Sequence, residues 1–236
     1  MIYKNYKKEK IPEMVANTKY IKTIDVPLLL DLFNFQTPTG DKPTQKAFLK
    51  WIRDEFITKN NIKCQISYDN YGGMYIKKGQ ADVYPCVVSH IDTVHDYDIN
   101  FKSYQCGDYV IGLSEGEQCG LGADPKAGLY ILLQLLKRFD NIKCVLFLNE
   151  ELGCQNSREA RVKFFSDCSF VMQFDRRSFT TDVIENTNGV QVLSQHFKDM
   201  INPVMKEYKY SFNYGTCTDV GELSKLGVGI NTFNIS

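Results

Sequence analysis

The sequence lacks the features of a membrane, secreted or nucleic-acid-binding protein. Lysine plus arginine and aspartate plus glutamate each number 28, so no net field favours a polyanion or an anionic bilayer. No run of about twenty apolar residues is present, and Met1 to Lys10 is too polar for a signal-peptide core. Residence in a cytosol is the expectation. The eight cysteines include no close pair of zinc-ribbon or redox spacing, which leaves free thiols, several of them buried as small hydrophobes. No internal repeat and no low-complexity linker divides the 236 residues, so one domain from about residue 25 to 236 is the simpler division. Residues 1–24 mix lysines and aromatics without a period and read as a loosely attached arm.

Histidine is scarce as well, with three copies, and one of them ends the segment that organises the chain. Cys86-Val87-Val88-Ser89-His90-Ile91-Asp92 is an apolar run of buried-strand type, finishing in an imidazole and a carboxylate two residues apart. In open α/β sheets ligands collect beyond the carboxyl ends of strands, where this pair stands. Ile142 to Leu148 is a second such run, crowned by Glu150 and Glu151, and Ser169 to Phe174 is a third, ended by Asp175. Asp124 lies in the loop entering a helix whose stripe is Leu129, Leu132, Leu133 and Leu136.

The remaining pattern gives short helices from Val26 and from Lys42 to Phe56, and a hairpin with strands Ile62–Tyr68 and Met74–Lys77. Residues 93–122 read as irregular surface structure with short β-like pieces such as Tyr109-Val110-Ile111. A polar helix is expected over Ser157–Phe165, and an amphipathic helix from Val190 through Met200 that Pro203 bends or ends. A helix capped by Thr218 or Asp219 follows a short strand, and a last strand, Ile230–Ile235, has no helix after it to cover it.

Acids gathered at successive strand ends repel one another and raise each other's pKa values unless a cation offsets the charge. Imidazole with carboxylates favours zinc, with manganese or cobalt as substitutes, over calcium. Zinc brings the pKa of a bound water to roughly 7, and a neighbouring carboxylate outside the ligand set can take that water's proton and pass it to a leaving amine. The adjacent Glu150 and Glu151 fit that division of labour.

Taken in order, His90-Ile91-Asp92-Thr93-Val94, Gly122-Ala123-Asp124-Pro125-Lys126-Ala127-Gly128, Asn149-Glu150-Glu151-Leu152-Gly153, Asp175-Arg176-Arg177 and Gly215-Thr216-Cys217-Thr218-Asp219 resemble the motifs of the dinuclear zinc exopeptidases. That superfamily includes peptidase T, the zinc aminopeptidases and succinyl-diaminopimelate desuccinylase. The resemblance implies a three-layer α/β/α sandwich around a mixed, mostly parallel central sheet. It implies that His90 and Asp175 hold one zinc, that Asp124 bridges two, and that Glu151 holds the other. Asp92 would fix the His90 ring, and Glu150 would be general base and acid. Gly215, Thr216 and Arg176 become candidate substrate contacts. The implied activity is zinc-dependent hydrolysis of short peptides or N-acyl amino acids, in the manner of an aminopeptidase or di/tripeptidase.

Three departures qualify the resemblance. Pro125 stands where the family has a second acid, and because proline makes a cis bond accessible, a cis Asp124–Pro125 peptide is expected. About forty residues separate Asp175 from Gly215, too few for the lid domain inserted there in peptidase T, so a lidless architecture is expected. The family's last ligand is a histidine after the final strand, and this chain stops at Ser236, so of the two zincs the resemblance implies the second is expected to be weak or absent. His95 and His196 are weak substitutes. The competing readings are a degenerate homologue serving as a non-catalytic binding or assembly protein, and a cysteine hydrolase built on Cys154 or Cys217.

Overall fold

Asp25 and Asp41 open the first two helices. Each carboxylate accepts the amide three residues on, from Leu28 at 3.2 Å and Thr44 at 3.3 Å, and Pro27 and Pro43 occupy first turns that need no N–H. The computed structural model describes residues 24–176, 181–228 and 231–235, so the expected arm at 1–24 lies outside the described residues save for its last one. Helix α1 (Val26–Asn34) is followed by α2 (Lys42–Trp51), which passes into a π-helical stretch, Ile52–Ile57. Phe48, Ile52 and Phe56 keep one buried face across that junction.

Strands β1 (Cys64–Tyr68) and β2 (Met74–Lys78) form the expected antiparallel hairpin, its turn tied by Asp69 Oδ1 to the amides of Gly72 and Gly73 at 2.8 Å. Strand β3 (Tyr84–His90) follows. The 93–122 region is more regular than expected: it holds a separate antiparallel sheet of β4 (Lys102–Cys106), β5 (Tyr109–Ser114) and β6 (Glu117–Cys119). Tight turns at Gly107 and Gly116, both at positive φ, join strands too short and too exposed to show a clear alternation.

Next come α3 (Ala123–Arg138), β7 (Ile142–Phe147) and β8 (Cys168–Phe174). Between the last two, Ser157–Phe165 is not one helix but two 3-10 turns, Ser157–Glu159 and Val162–Phe165, separated by the extended backbone at Ala160. That break lets Phe164 and Phe165 meet Tyr75 edge-on at 5.0 and 6.5 Å. Strand β9 (Asp182–Thr187) comes next, and β10 (Val190–Gln191) occupies the start of the helix expected from Val190. Helix α4 begins only at Gln195, where Ser194 Oγ accepts the Phe197 amide at 3.2 Å, and it runs through Pro203 to Glu207. Phe197, Ile201 and Met205 pack at four-residue spacing on both sides of the proline, and their shared apolar contact outweighs the one backbone bond it removes. The chain continues through β11 (Ser211–Gly215), α5 (Asp219–Lys225) and β12 (Asn231–Ile235).

The nine-stranded sheet has the order β1-β2-β7-β3-β8-β12-β9-β10, with β11 beside β9. Its centre, β7-β3-β8-β12, is parallel, antiparallel pairs flank it on both sides, and β11 lies parallel to β9. Helices α1, α2 and α3 cover one face over Val87, Ile76 and Leu146, while α5 and the 3-10 turns cover the other over Cys86, Val88 and Val145. The sheet is therefore mixed and sandwiched between helical layers. The last strand is not left bare. It inserts between β8 and β9, where α4 covers Phe233 and Ile235 and α5 packs on the opposite side.

The parallel centre brings the carboxyl ends of β7, β3 and β8 to one edge, and α3 meets that edge closely. A Cβ added to Gly128 would collide with the carbonyl oxygen of Phe174, the residue before Asp175. Gly128→Ala is expected to cost about 1–3 kcal/mol, read as a lower urea midpoint, as overpacking pushes α3 off β8. An unchanged midpoint would show that this contact yields freely.

Candidate metal centre

The end of β3 is pinned before any functional side chain is placed. Lys126, fully buried, donates from Nζ to Thr37 Oγ1 at 2.6 Å and to the Ile91 carbonyl at 3.0 Å, and lies 3.9 Å from the centre of the Phe48 ring. Burial lowers its pKa to about 7, against the opposing pull of Asp92. Thr37 also donates to the Ile91 carbonyl at 2.5 Å and accepts the Thr93 amide at 2.9 Å on its own carbonyl. Residues 90–93 thus leave the sheet on a fixed path.

On that path Asp92 joins the site together. Its Oδ1 accepts the Glu150 amide at 3.0 Å, and its Oδ2 accepts the Glu151 amide at 3.3 Å and the Thr39 hydroxyl at 3.0 Å. The same carboxylate lies 3.5 Å from His90 Nδ1. Burial alone would raise its pKa, but the His90 ring, the Glu150 amide and the Thr39 hydroxyl together hold it below the usual carboxylate range. His90 Nδ1 also stands 3.1 Å from the Asp92 carbonyl, and a proton on that nitrogen leaves Nε2 with a free lone pair.

Nε2 faces acids. It is 3.1 Å from Asp124 Oδ1 and 3.7 Å from Asp175 Oδ1, yet it is buried and makes no hydrogen bond. Two three-residue sets can hold a cation within 4.8 Å between ligand atoms, His90 with Asp124 and Asp175, and His90 with Glu150 and Glu151. The Asp124 side chain is 65% exposed while His90 is sealed, so the set opens to solvent on the Asp124 side. Asp124 sits just inside α3 with non-helical backbone (φ −87°, ψ 110°), and its peptide bond to Pro125 is cis, as expected. Burial, and then the nearby Asp124 charge, raises the Glu151 pKa to about 7, and burial also raises that of Glu150. An orphaned imidazole nitrogen amid acids that repel one another fits a divalent ion of borderline softness.

The far side of the site hangs on β12. Asn234 accepts the Asp175 amide on Oδ1 at 2.9 Å and donates to its carbonyl at 2.7 Å. Gln173, buried in β8, donates from Nε2 to Asp175 Oδ2 at 3.1 Å and to Asp219 Oδ2 at 3.2 Å, while Thr218 donates to its Oε1 at 2.8 Å.

No family model matches the sequence, and no curated protein matches it. Solved structures do match. A tripeptidase from Staphylococcus aureus superposes with a TM-score of 0.55 at 24% identity, over 68% of this chain and 45% of its own. An aminopeptidase from the archaeon Desulfurococcus kamchatkensis gives 0.59 at 12% identity, over 89% and 86%. An aminoacylhistidine dipeptidase from Vibrio alginolyticus gives 0.53 at 18%, over 67% and 34%. The chain shares the fold of these three structures. The resemblance carried by the motifs therefore extends to the architecture, although this chain spans only about half the length of the tripeptidase, 45%.

Within this fold, the expected metal-binding and base residues His90, Asp92, Asp124, Glu150, Glu151 and Asp175 converge. The expected substrate contacts are less uniform. Arg176 is partly buried, with Nη2 at 3.1 Å from Asp182 Oδ2, Gly215 closes β11 against Ile184, and Thr216 is exposed in the loop beyond. Arg177 lies outside the described residues. His95 belongs to neither ligand set. Its ring lies against Gly120, in a cavity of about 290 Å³ beside the site lined by Phe33, Phe35, Phe101 and Gly122. His196 is exposed on α4.

The sequence reading did not single out Lys126, Gln173, Asn234 or, beyond its cap, Asp219. The signal was present in each: Lys126 falls on the buried stripe of α3, and Gln173 and Asn234 interrupt buried strands. Asp219 is fully buried at the start of α5, with Oδ1 unpartnered. Burial, with the nearby Glu150 and Asp175 charges, raises its pKa from 3.8 to about 8. A folded-state value above the unfolded one means that stability from this group is complete below about pH 4 and is lost as pH rises towards about 8. In metal-free protein, Asp219→Asn, which fixes the neutral form, is expected to raise Tm more at about pH 8 than at about pH 5. An equal gain at both would show that Asp219 is not protonated in the fold.

Proposed function

We propose that the chain is a zinc-dependent metallopeptidase or related amide hydrolase, acting on short peptides or N-acyl amino acids as an aminopeptidase or di/tripeptidase does. The observation that carries this reading is His90 Nε2, buried and without a hydrogen bond while Asp124 and Asp175 stand 3.1 and 3.7 Å away. In this reading His90, Asp124 and Asp175 would hold one ion, and the resemblance gives Asp124 and Glu151 to a second. Manganese or cobalt would substitute. When bound, such an ion supplies Lewis acidity and acidifies water to near neutral pH.

The protein's own groups supply the rest. Asp92 holds the His90 ring and, through two backbone amides, sets where Glu150 and Glu151 begin. Glu150, lifted above its ordinary pKa by burial, takes a proton from water and returns it to the departing amine. Gly215, Thr216 and Arg176 are the substrate-contacting positions, and a substrate carboxylate at Arg176 would share its guanidinium with Asp182.

Metal analysis of the purified chain together with turnover of a di- and tripeptide panel tests the reading. Glu150→Gln is expected to retain zinc while hydrolysis falls by about 10²–10⁴-fold. Asp92→Asn is expected to weaken zinc binding by about 10–100-fold, measured by competition with a chromogenic chelator. A chain that binds no zinc, or binds it and cleaves none of the panel, is a binding protein on a peptidase scaffold. Full activity in Glu150→Gln removes Glu150 from the mechanism.

A further inference from the structure

Two cysteines distant in sequence meet at the edge of the site. Cys154 Sγ lies 3.3 Å from Cys217 Sγ and donates to Glu150 Oε1 at 3.3 Å. Cys154 is buried on the 149–155 loop, whereas Cys217 is exposed on the loop between β11 and α5. A disulfide bond is about 2.05 Å long, so the sulfurs need to close by about 1.3 Å. Cys154 is held at φ 58°, a conformation uncommon for a residue with a Cβ, and it follows Gly153 at φ 85°. The loop thus takes an unfavourable backbone to turn this thiol inward, against both the partner sulfur and the glutamate. The neighbourhood separates two roles. Cys217 is open to a solvent-borne oxidant, while Cys154 is buried beside it and is reached through the Cys217 sulfur.

We propose that Cys154 and Cys217 form a reversible disulfide with a peroxide as co-substrate, and that this link is a redox gate on Glu150. The Cys217 sulfur attacks one oxygen of hydrogen peroxide: an S–O bond forms as the O–O bond breaks, and the thiol proton leaves with the other hydroxyl as water, giving a sulfenic acid. The Cys154 sulfur then attacks the Cys217 sulfur, and the sulfenic hydroxyl leaves with the Cys154 proton as a second water. Two thiols are oxidised and one peroxide is reduced. The link removes the hydrogen bond to Glu150 Oε1 and ties the glutamate loop to the Gly215–Thr216 segment. Its effect on turnover rests on the proposed hydrolase function, but the bond itself does not.

The test treats fully reduced, full-length protein with hydrogen peroxide and maps cysteines by mass spectrometry under non-reducing conditions. The expected result is a loss of two of the eight thiols and a single linked peptide joining Cys154 to Cys217, reversed by dithiothreitol. In Cys217→Ser the linked peptide is absent and Cys154 stays reduced. Peptide hydrolysis is expected to fall by about a hundredfold on oxidation and to recover on reduction, while Cys217→Ser gives the same rate before and after peroxide. Linkage of any other pair, or over-oxidation of Cys217 beside a free Cys154, overturns the disulfide. The mapped disulfide with unchanged turnover overturns the gate. If no hydrolysis is detected in any state, the mapping still decides whether the bond forms, and the proposed hydrolase function fails separately.

Discussion

The buried carboxylate of Asp92 is the constraint on which the site depends. It takes three hydrogen bonds from two other segments, the Glu150 and Glu151 amides after β7 and the Thr39 hydroxyl before α2, and it lies against the His90 ring. One side chain thus sets the orientation of the imidazole and the starting point of both glutamates. An acid buried so completely stays ionised only where donors replace water, and here they do. The Lys126–Thr37–Ile91 contacts do the same for the backbone that delivers it.

Around this anchor the electrostatics are unresolved by the protein alone. Glu150, Glu151 and Asp219 all have pKa values pushed upward, chiefly by burial and then by neighbouring carboxylates, Asp175 and Asp124 among them. His90 stands among them, and its buried Nε2 makes no hydrogen bond. Such a gathering of acids weakens the fold unless it serves a ligand, and a divalent cation is the ligand its geometry fits. Asp124 marks the side on which this group of acids opens to solvent. The cavity lined by Phe33, Phe35 and Phe101 lies next to that opening.

Much of this was legible in the residues. Strands that are buried on both faces must be nearly continuous in apolar residues, so β3, β7 and β8 and the polar groups at their ends were visible. The leucine stripe of α3 and the proline after Asp124 were equally plain. Less visible were elements whose stability is not local. The β4–β6 sheet has short exposed strands, and β9 pairs with β11 and β12, segments far from it in sequence. Pro203 misled because the Phe197–Ile201–Met205 stripe, which holds α4 together, is a tertiary contact.

The sequence by itself determined which chemical groups end the central strands, because hydrophobic periodicity fixes strand limits and strand limits fix what protrudes. It also determined the order of the motifs, and with it the resemblance to the zinc exopeptidases. Only the tertiary structure decided that Asn234 of the last strand would hold Asp175 and that Gln173 would bridge Asp175 to Asp219. It alone set Cys154 against Cys217 and Glu150. The reason is physical: those contacts arise from β12 inserting between β8 and β9 and from two loops meeting across the sheet edge. Pairings of this kind depend on how distant segments pack, and local patterning carries no record of them.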